Sequence, residues 1–208
     1  MAVHGGSGIS IGIIEALKSQ YKEPIELVHR LDRATSGCLI LAKKRSVLKD
    51  LHEHLVKHQL EKRYIALVKN SWSKKRHTID APIYQNSRQS VIDIKGKDSV
   101  SHFHPIKNFL AEGFSASLVE VVIETGRTHQ IRVHMKHIGH TIFNDSRYGG
   151  DLILKGTTFT KYQQFVENCF KILPRQALHA KTLGFKHPKT KELISFDSES
   201  PKDIQTDS

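Results

Sequence analysis

The sequence predicts an α+β fold in which a mixed, mostly antiparallel sheet has flanking helices and a basic central cleft. Three observations support this prediction. Apolar residues recur at helical spacing in some segments, other segments alternate or are rich in β-branched residues, and basic residues outnumber acidic ones. No internal repeat or long linker divides the 208 residues. We therefore expect one domain over residues 1–196 and a disordered tail over residues 197–208.

The amino-terminal part of the chain is predicted to contain two helices and two strands. A first helix covers residues 10–21 with Ser10 as its N-cap, and a second helix follows the N-cap Ser46. The apolar segment 38–44 predicts a buried strand, and residues 62–70 alternate as a strand does.

The remainder of the chain continues the alternation of strands and helices. Residues 117–125 are rich in β-branched side chains and predict a strand, and a helix is expected to start near Gly126 and to end at Gly139. The other predicted elements are short strands and loops over 71–97, a helix over 160–173, and a closing hairpin over 178–188 and 191–197.

The charge of the chain is its strongest compositional signal. Thirty-two Lys and Arg residues against twenty-one Asp and Glu residues give a net charge of +11, which favours a polyanionic partner. Nucleic acid is favoured over a membrane because no basic amphipathic anchor helix, apolar span or signal peptide is evident. A basic protein without such a partner is the alternative. Cys38 and Cys169 are too few for a disulfide framework, so we expect a cytoplasmic protein.

The segment HRLDRATSG contains one carboxylate, Asp32, in a basic neighbourhood. Asp32 is the only acid among residues 27–49, which contain six Lys or Arg residues. These cations favour the ionised form of the carboxylate, which can act as a nucleophile or a base but is a poor general acid. A structural salt bridge between Asp32 and a neighbouring arginine is the alternative.

Two further segments are more polar than the structure predicted for them requires. Tyr64 lies beside two cations in a predicted strand and can stack on a base, although a core aromatic residue is the alternative. No acid occurs over residues 125–144, where a helix start near Gly126 would favour phosphate. The three-residue spacing of His134, His137 and His140 suggests a metal site, which the lack of nearby Cys or acidic ligands disfavours.

These motifs together resemble the RluA-type family of pseudouridine synthases. HRLDRATSG, the tyrosine of KRYIALV, and TGRTHQIRVH followed by GHTIFNDSRYGG match that family in order and approximate spacing over nearly the whole chain. The resemblance implies the pseudouridine synthase catalytic fold over residues 1–196 and an enzyme that isomerises uridine in RNA, without cofactor or metal. VHGGSG and LHEHLVKHQLEKRYIALV are most similar to members that act on large-subunit ribosomal RNA. Transfer RNA is the alternative substrate.

The resemblance also implies roles for individual residues. Asp32 matches the nucleophile, which attacks either the anomeric carbon of the sugar or the uracil ring. Tyr64 matches the aromatic residue that packs on the target base, and Arg132 matches the arginine that pairs with the aspartate. Arg30 matches the residue that enters the RNA stack when the nucleotide flips out. The further RNA contacts expected from these motifs are His29, Arg33, Arg127, His129 and Gln130.

Three departures and two rival functions accompany this interpretation. The small RNA-binding domain and the Lys-Pro strand that usually precede VHGGSG are expected to be missing, and Ala34 stands where the family often has an acid. Glycosidases normally need two carboxylates, but we assign Asp145, the nearest second acid, to a structural turn.

The rival functions are a non-catalytic RNA-binding module and a metal-dependent nuclease that uses the histidine-rich helix. We expect a monomer that binds RNA and no membrane.

Overall fold

The chain folds into helices and mostly antiparallel strands, which confirms the predicted α+β class. The structure, a computed structural model, describes four ranges of the chain: 12–73, 75–111, 114–153 and 160–205. The described residues divide into two compact units. Unit 1 contains residues 12–62 and 180–199, and unit 2 contains residues 63–179 and 200–205 without the gaps. In these ranges no helix is long and apolar enough to cross a bilayer.

The elements are numbered in chain order. The helices are α1 (Ile13–Gln20), α2 (Arg45–Val56), α3 (Gln130–His137) and α4 (Thr160–Ile172). The strands are β1 (Glu26–Leu27), β2 (Ser36–Gly37), β3 (Leu41–Ala42), β4 (Glu61–Lys69), β5 (His77–Asp80), β6 (Ile83–Gln85), β7 (Ser90–Ile92), β8 (Val100–Ala111), β9 (Phe114–Ile123), β10 (Leu178–Lys186) and β11 (Leu193–Asp197). The N-cap predicted at Ser10 and the motif VHGGSG lie outside the described residues.

Unit 1 is built around helix α2, whose apolar face contacts a small core. Leu51 is the buried residue of this helix. It belongs to a cluster with four other buried residues, Val28, Ala42, Leu60 and Phe185. The helix begins at Arg45 after an extended Lys44, so the predicted N-cap at Ser46 is wrong. Packing of the apolar face, and not a capping side chain, fixes the start of this helix.

The strand predicted over residues 38–44 is wrong except at β3, which pairs antiparallel with β1. The residues before β3 direct their backbone hydrogen bonds to other partners. The amide of Cys38 donates to the carbonyl of Ala180, and the amide of Ile40 donates to Nε2 of His29. The predicted closing hairpin is confirmed, because β10 and β11 pair antiparallel.

Unit 2 contains an antiparallel sheet whose strands lie in the order β4-β9-β8-β5. Strand β9 confirms the strand predicted over residues 117–125. Its alternate residues Val119, Val121 and Ile123 are 0%, 0% and 6% exposed, so one face of the strand lies in the core. This period-two burial is what the β-branched sequence predicted.

Helix α3 begins four residues later than the sequence predicts. His129 has a φ of 57°, in the left-handed region, so the helix starts at Gln130 and not near Gly126. The Oε1 atom of Gln130 accepts a hydrogen bond from the amide of Arg127 at 3.0 Å. The prediction that a helix start at Gly126 presents free amides to phosphate is therefore wrong.

The disordered tail predicted over residues 197–208 is wrong as far as residue 205. The carboxylate of Asp203 accepts two hydrogen bonds from the guanidinium of Arg175, each of 2.8 Å. Ile204 is only 8% exposed. These two contacts hold the polar carboxyl-terminal segment against the rest of unit 2, although its composition predicts disorder. The domain boundary at residue 196 stays a prediction.

We expect Gly37→Ala to destabilise the protein far more than Gly139→Ala. Both glycines have positive φ, 109° and 80°, but a Cβ at Gly37 would lie 2.1 Å from the carbonyl oxygen of Ala180, whereas a Cβ at Gly139 has nothing within 4 Å. We expect about 1 kcal/mol of backbone strain at Gly139 and at least about 3 kcal/mol at Gly37. Chemical denaturation of both variants measures these losses, and equal losses would contradict the steric argument.

Candidate functional site

The Asp32 loop of unit 1 is held by its own backbone. The amide of Thr35 donates to the main-chain oxygen of Asp32 at 2.9 Å, and Ala34 between them has a φ of 68°. The side chain of Asp32 is half-buried in this tight turn. The turn ends at Gly37, whose close approach to Ala180 fixes the far end of the loop. The carboxylate therefore stands on a rigid support.

His29 fastens the near end of this loop. Its Nε2 atom accepts a hydrogen bond from the amide of Ile40 at 3.1 Å. Burial, together with the positive charge of Lys62, lowers the pKa of His29 from 6.5 to about 4. The imidazole is thus neutral at neutral pH, so it acts as a structural residue and cannot attract a phosphate as a cation.

Arg30 and Arg33 lie on either side of Asp32, and both side chains are exposed. Arginine at a surface can form bidentate hydrogen bonds with phosphate oxygens. Their exposure is compatible with the RNA contacts expected from the sequence, which stay predictions.

Tyr64 lies on β4 in unit 2, where it is paired with Val121 of β9. The residue is only 9% exposed, so most of its ring packs inside the unit. The small exposed part is what a base could contact. Its stacking role stays a prediction. Most of its surface is buried, as the alternative of a core aromatic residue requires.

Arg132 and Asp145 form a buried bidentate ion pair in unit 2. Nε and Nη2 of Arg132 donate to the two carboxylate oxygens of Asp145 at 2.7 and 2.8 Å, and the residues are 7% and 1% exposed. The guanidinium also lies over the ring of Tyr148, 5.0 Å from its centroid. Bidentate hydrogen bonds between two charged groups are strong, and the removal of one partner of a buried pair is strongly destabilising.

The sequence interpretation missed this ion pair. It assigned Asp145 to a structural turn, and the main-chain oxygen of Asp145 does accept hydrogen bonds from the amides of Tyr148 and Gly150. Its carboxylate has the additional task of neutralising Arg132. The signal was available, since Asp145 is the first acid after the acid-free residues 125–144. The pairing predicted between Arg132 and Asp32 would join the two units and stays a prediction.

Gln130 does not have the surface position that an RNA contact requires. It is 3% exposed, and its Oε1 accepts from the hydroxyl of Thr125 and the amide of Arg127. Its Nε2 donates to the carbonyl of Val100 and to Oγ of Ser101. Because the side-chain amide is fully bonded inside the protein, we correct its role from RNA contact to structural residue.

Arg127 and His129 flank this buried glutamine and remain partly exposed. Nε of Arg127 donates to the carbonyl of Asp98 at 3.0 Å, which orients the guanidinium. Nδ1 of His129 lies 2.9 Å from the hydroxyl of Tyr148. Both residues therefore stay candidates for RNA contact, and Arg127 has the permanent charge and the larger number of donors.

The histidine-rich helix offers little to a metal ion. His134 is fully buried, its Nε2 donates to the carbonyl of Ala81, and its Nδ1 accepts from Oγ of Ser101. Burial lowers the pKa of His134. Among the residues that the structure describes, no three His, Cys, Asp or Glu side chains are grouped to hold a metal ion.

Known proteins similar to this chain are pseudouridine synthases. The sequence profile described as RNA pseudouridylate synthase matches residues 10–137. Ribosomal large subunit pseudouridine synthase C of Buchnera aphidicola subsp. Baizongia pistaciae (strain Bp) is 41% identical over 201 residues, which are 93% of this chain and 59% of that protein. The protein of the same name from Yersinia pestis is 42% identical over 212 residues, 98% of this chain and 61% of that protein. The chain thus spans less than two thirds of these relatives.

A solved structure is similar over nearly the same extent. Human RNA Pseudouridylate Synthase Domain Containing 1 superposes with a TM-score of 0.70 at 25% identity, covering 96% of this chain and 78% of that chain. This similarity supports the α+β fold derived from the sequence.

We expect the ion pair between Arg132 and Asp145 to show strong energetic coupling. Arg132→Gln and Asp145→Asn should each cost about 3–5 kcal/mol, because each removes one charge of a buried bidentate ion pair and keeps the other buried. The double variant should lose less than the sum, by up to about 3 kcal/mol. Chemical denaturation of the four proteins measures the coupling. The exposed pair of Lys43 and Glu23 is the control, with less than about 1 kcal/mol expected, and equal coupling in both pairs would contradict this expectation.

We expect the stability of the protein to fall as the pH is lowered from about 6.5 towards 4, partly because of His29. The unfolded histidine takes up a proton in this window, whereas the folded one, with a pKa of about 4, does not. The loss approaches about 3 kcal/mol by pH 4. Unfolding free energies of wild type and His29→Gln, measured across this range, test the assignment. Identical pH profiles would remove it.

Proposed function

Because the chain belongs to the RNA pseudouridylate synthase family, we propose that it converts specific uridines to pseudouridines in large-subunit ribosomal RNA. The observation that carries this proposal is the family match over residues 10–137, which contain Asp32, Tyr64 and Arg132. The large-subunit substrate is supported by the names of the two relatives. We propose that the enzyme is cytoplasmic, acts as a monomer and needs no cofactor.

The proposed reaction is an isomerisation that conserves every atom of the RNA. The bond between uracil N1 and ribose C1′ breaks, and a bond between uracil C5 and C1′ forms. The proton lost from C5 is balanced by the proton gained at N1, so no water is consumed. A hydrolase would instead release the base and normally needs a second carboxylate as acid.

Asp32 is proposed as the nucleophile of this reaction. An ionised carboxylate can add either to C1′ or to the uracil ring, and both additions are compatible with later rejoining through carbon. The rigid turn from Asp32 to Thr35 supports this role, because a nucleophile must be held in one orientation while the base rotates. Arginines on both sides of it suit an RNA backbone.

Tyr64, Arg132 and Arg30 keep the roles that the family resemblance implies, as proposals. Tyr64 would pack on the target base, Arg132 would pair with the nucleophile, and Arg30 would occupy the gap left in the RNA stack. The target must leave the stack before its glycosidic bond is accessible, so the reaction requires base flipping. Asp145 is added here as a positioning residue, because it fixes two nitrogens of the Arg132 guanidinium.

We expect Asp32→Asn to abolish pseudouridine formation. The amide keeps the size of the carboxylate but lacks its nucleophilic charge. Unmodified large-subunit ribosomal RNA and transfer RNA are incubated with each protein, and pseudouridine is mapped by chemical labelling and primer extension. Asp50→Asn, which removes an exposed acid of helix α2, is the matched control and should retain full activity.

The other outcomes of this experiment identify the rival functions. Product formed by Asp32→Asn would remove the nucleophile assignment, and product found only in transfer RNA would change the substrate. RNA that is bound by wild type but unmodified would indicate a binding module. RNA cleavage that a chelator prevents would indicate a metal-dependent nuclease. An unchanged RNA mass separates isomerisation from loss of the base.

A further inference from the structure

Unit 2 contains a basic cavity. Its volume is about 490 Å³, within the range of small-ligand pockets. Strand β6 contributes Tyr84 to its lining, the turn between β7 and β8 contributes Lys95 and Lys97, and the loop before α3 contributes Arg127. Three cations from two separate segments therefore line one cavity.

The three cations of this cavity outnumber the two acids beside it, Asp93 and Asp98. No acidic residue is among those lining it, and the side chains of Lys95 and Lys97 form no ion pair within the part of the chain that the structure describes. The nearby acid Asp93 bonds to the backbone amide of Lys95, and Asp98 offers Arg127 only a main-chain oxygen. The cavity therefore favours an anion.

An exposed ring indicates what kind of anion fits this cavity. Tyr84 is 43% exposed and can stack on a base. Ser90 also lines the cavity, but it is only 1% exposed and interacts with the hydroxyl of Tyr148. Three cations and an aromatic ring together match the phosphate and the base of a nucleotide.

The cavity is also connected to the buried ion pair. The hydroxyl of Tyr148 lies 3.4 Å from the carbonyl of Ser90, to which it donates, and 2.9 Å from Nδ1 of His129. The guanidinium of Arg132 lies over the same tyrosine ring. A ligand in the cavity would therefore lie beside Ser90, which bonds to the tyrosine that packs against Arg132.

We propose that this cavity binds one nucleotide of the substrate RNA other than the target uridine, with its phosphate on Lys95, Lys97 and Arg127 and its base on Tyr84. The proposal rests on the proposed function, since it assumes that RNA is the substrate. These residues are proposed as positioning residues that set which RNA segment is held, and no chemical step is assigned to them.

Another cavity in unit 2, of about 800 Å³, is lined by Lys69, Lys136 and Arg147 but suits an anion less well. It lies at the carboxyl-terminal end of α3, where helix carbonyls carry partial negative charge. The ammonium of Lys69 already donates to the carbonyl of Leu152. Its cations therefore partly serve the protein's own oxygens.

The test is the double variant Lys95→Gln/Lys97→Gln, compared with Lys189→Gln/Lys202→Gln. The control removes the same charge from two exposed lysines outside the cavity. RNA affinity is measured across a salt series, together with single-turnover pseudouridine formation. Loss of two phosphate contacts should lower the slope of log K against log salt by about 1.4 to 1.8. It should also raise KM while the rate at saturating RNA stays unchanged.

Tyr84→Ala tests the base contact separately. We expect a loss of RNA affinity of about tenfold with an unchanged salt slope, and recovery of most of the affinity in Tyr84→Phe. Cavity variants that bind RNA like the lysine control would overturn the proposal. If those variants also form pseudouridine at the wild-type rate and KM, the proposed nucleotide site is wrong and the proposed function still stands. If RNA binding depends on the cavity but wild type forms no pseudouridine, the nucleotide site stands and the proposed function is wrong.

Discussion

The buried ion pair between Arg132 and Asp145 is the interaction on which unit 2 depends. The two residues are 7% and 1% exposed, and the bidentate geometry and the Tyr148 ring help to offset the cost of burying their charges. The turn that presents Asp145 requires Gly150, because a Cβ there would lie 1.8 Å from the carbonyl oxygen of Ile142. One charge pair therefore ties helix α3 to a turn that only a glycine permits.

A second set of buried polar groups fixes the other side of α3. The Gln130 amide joins Thr125 and Arg127 to the edge of β8, and Ser101 continues the chain of hydrogen bonds to His134. In a low-dielectric interior such a network is favourable only when every member is bonded. The polar residues of TGRTHQIRVH therefore serve largely to orient the helix, and few of them remain available to RNA.

The sequence predicted the secondary-structure elements better than it predicted the side-chain hydrogen bonds and ion pairs. Periodicity identified β9 and the closing hairpin, because alternate burial leaves a direct trace in residue type. It misplaced the start of α3, since the left-handed backbone of His129 and the hydrogen bond between the Arg127 amide and the Gln130 side chain depend on tertiary structure that no spacing reveals. A motif shows that a residue must be polar, but not whether it faces a ligand or the protein. For that reason the sequence alone predicts Gln130 as an RNA contact and does not reveal the ion pair that the carboxylate of Asp145 forms.

The Asp32 loop shows how such supports make an exposed charge useful. Ala34 adopts a positive φ, which Asp or Asn would tolerate better than alanine does. The loop keeps its shape through the Thr35 amide, the glycine at position 37 and the neutral imidazole of His29. Each of these supports is uncharged. The scaffold that holds Asp32 therefore adds no charge of its own, and the exposed Arg30 and Arg33 beside it are cations that suit a polyanion.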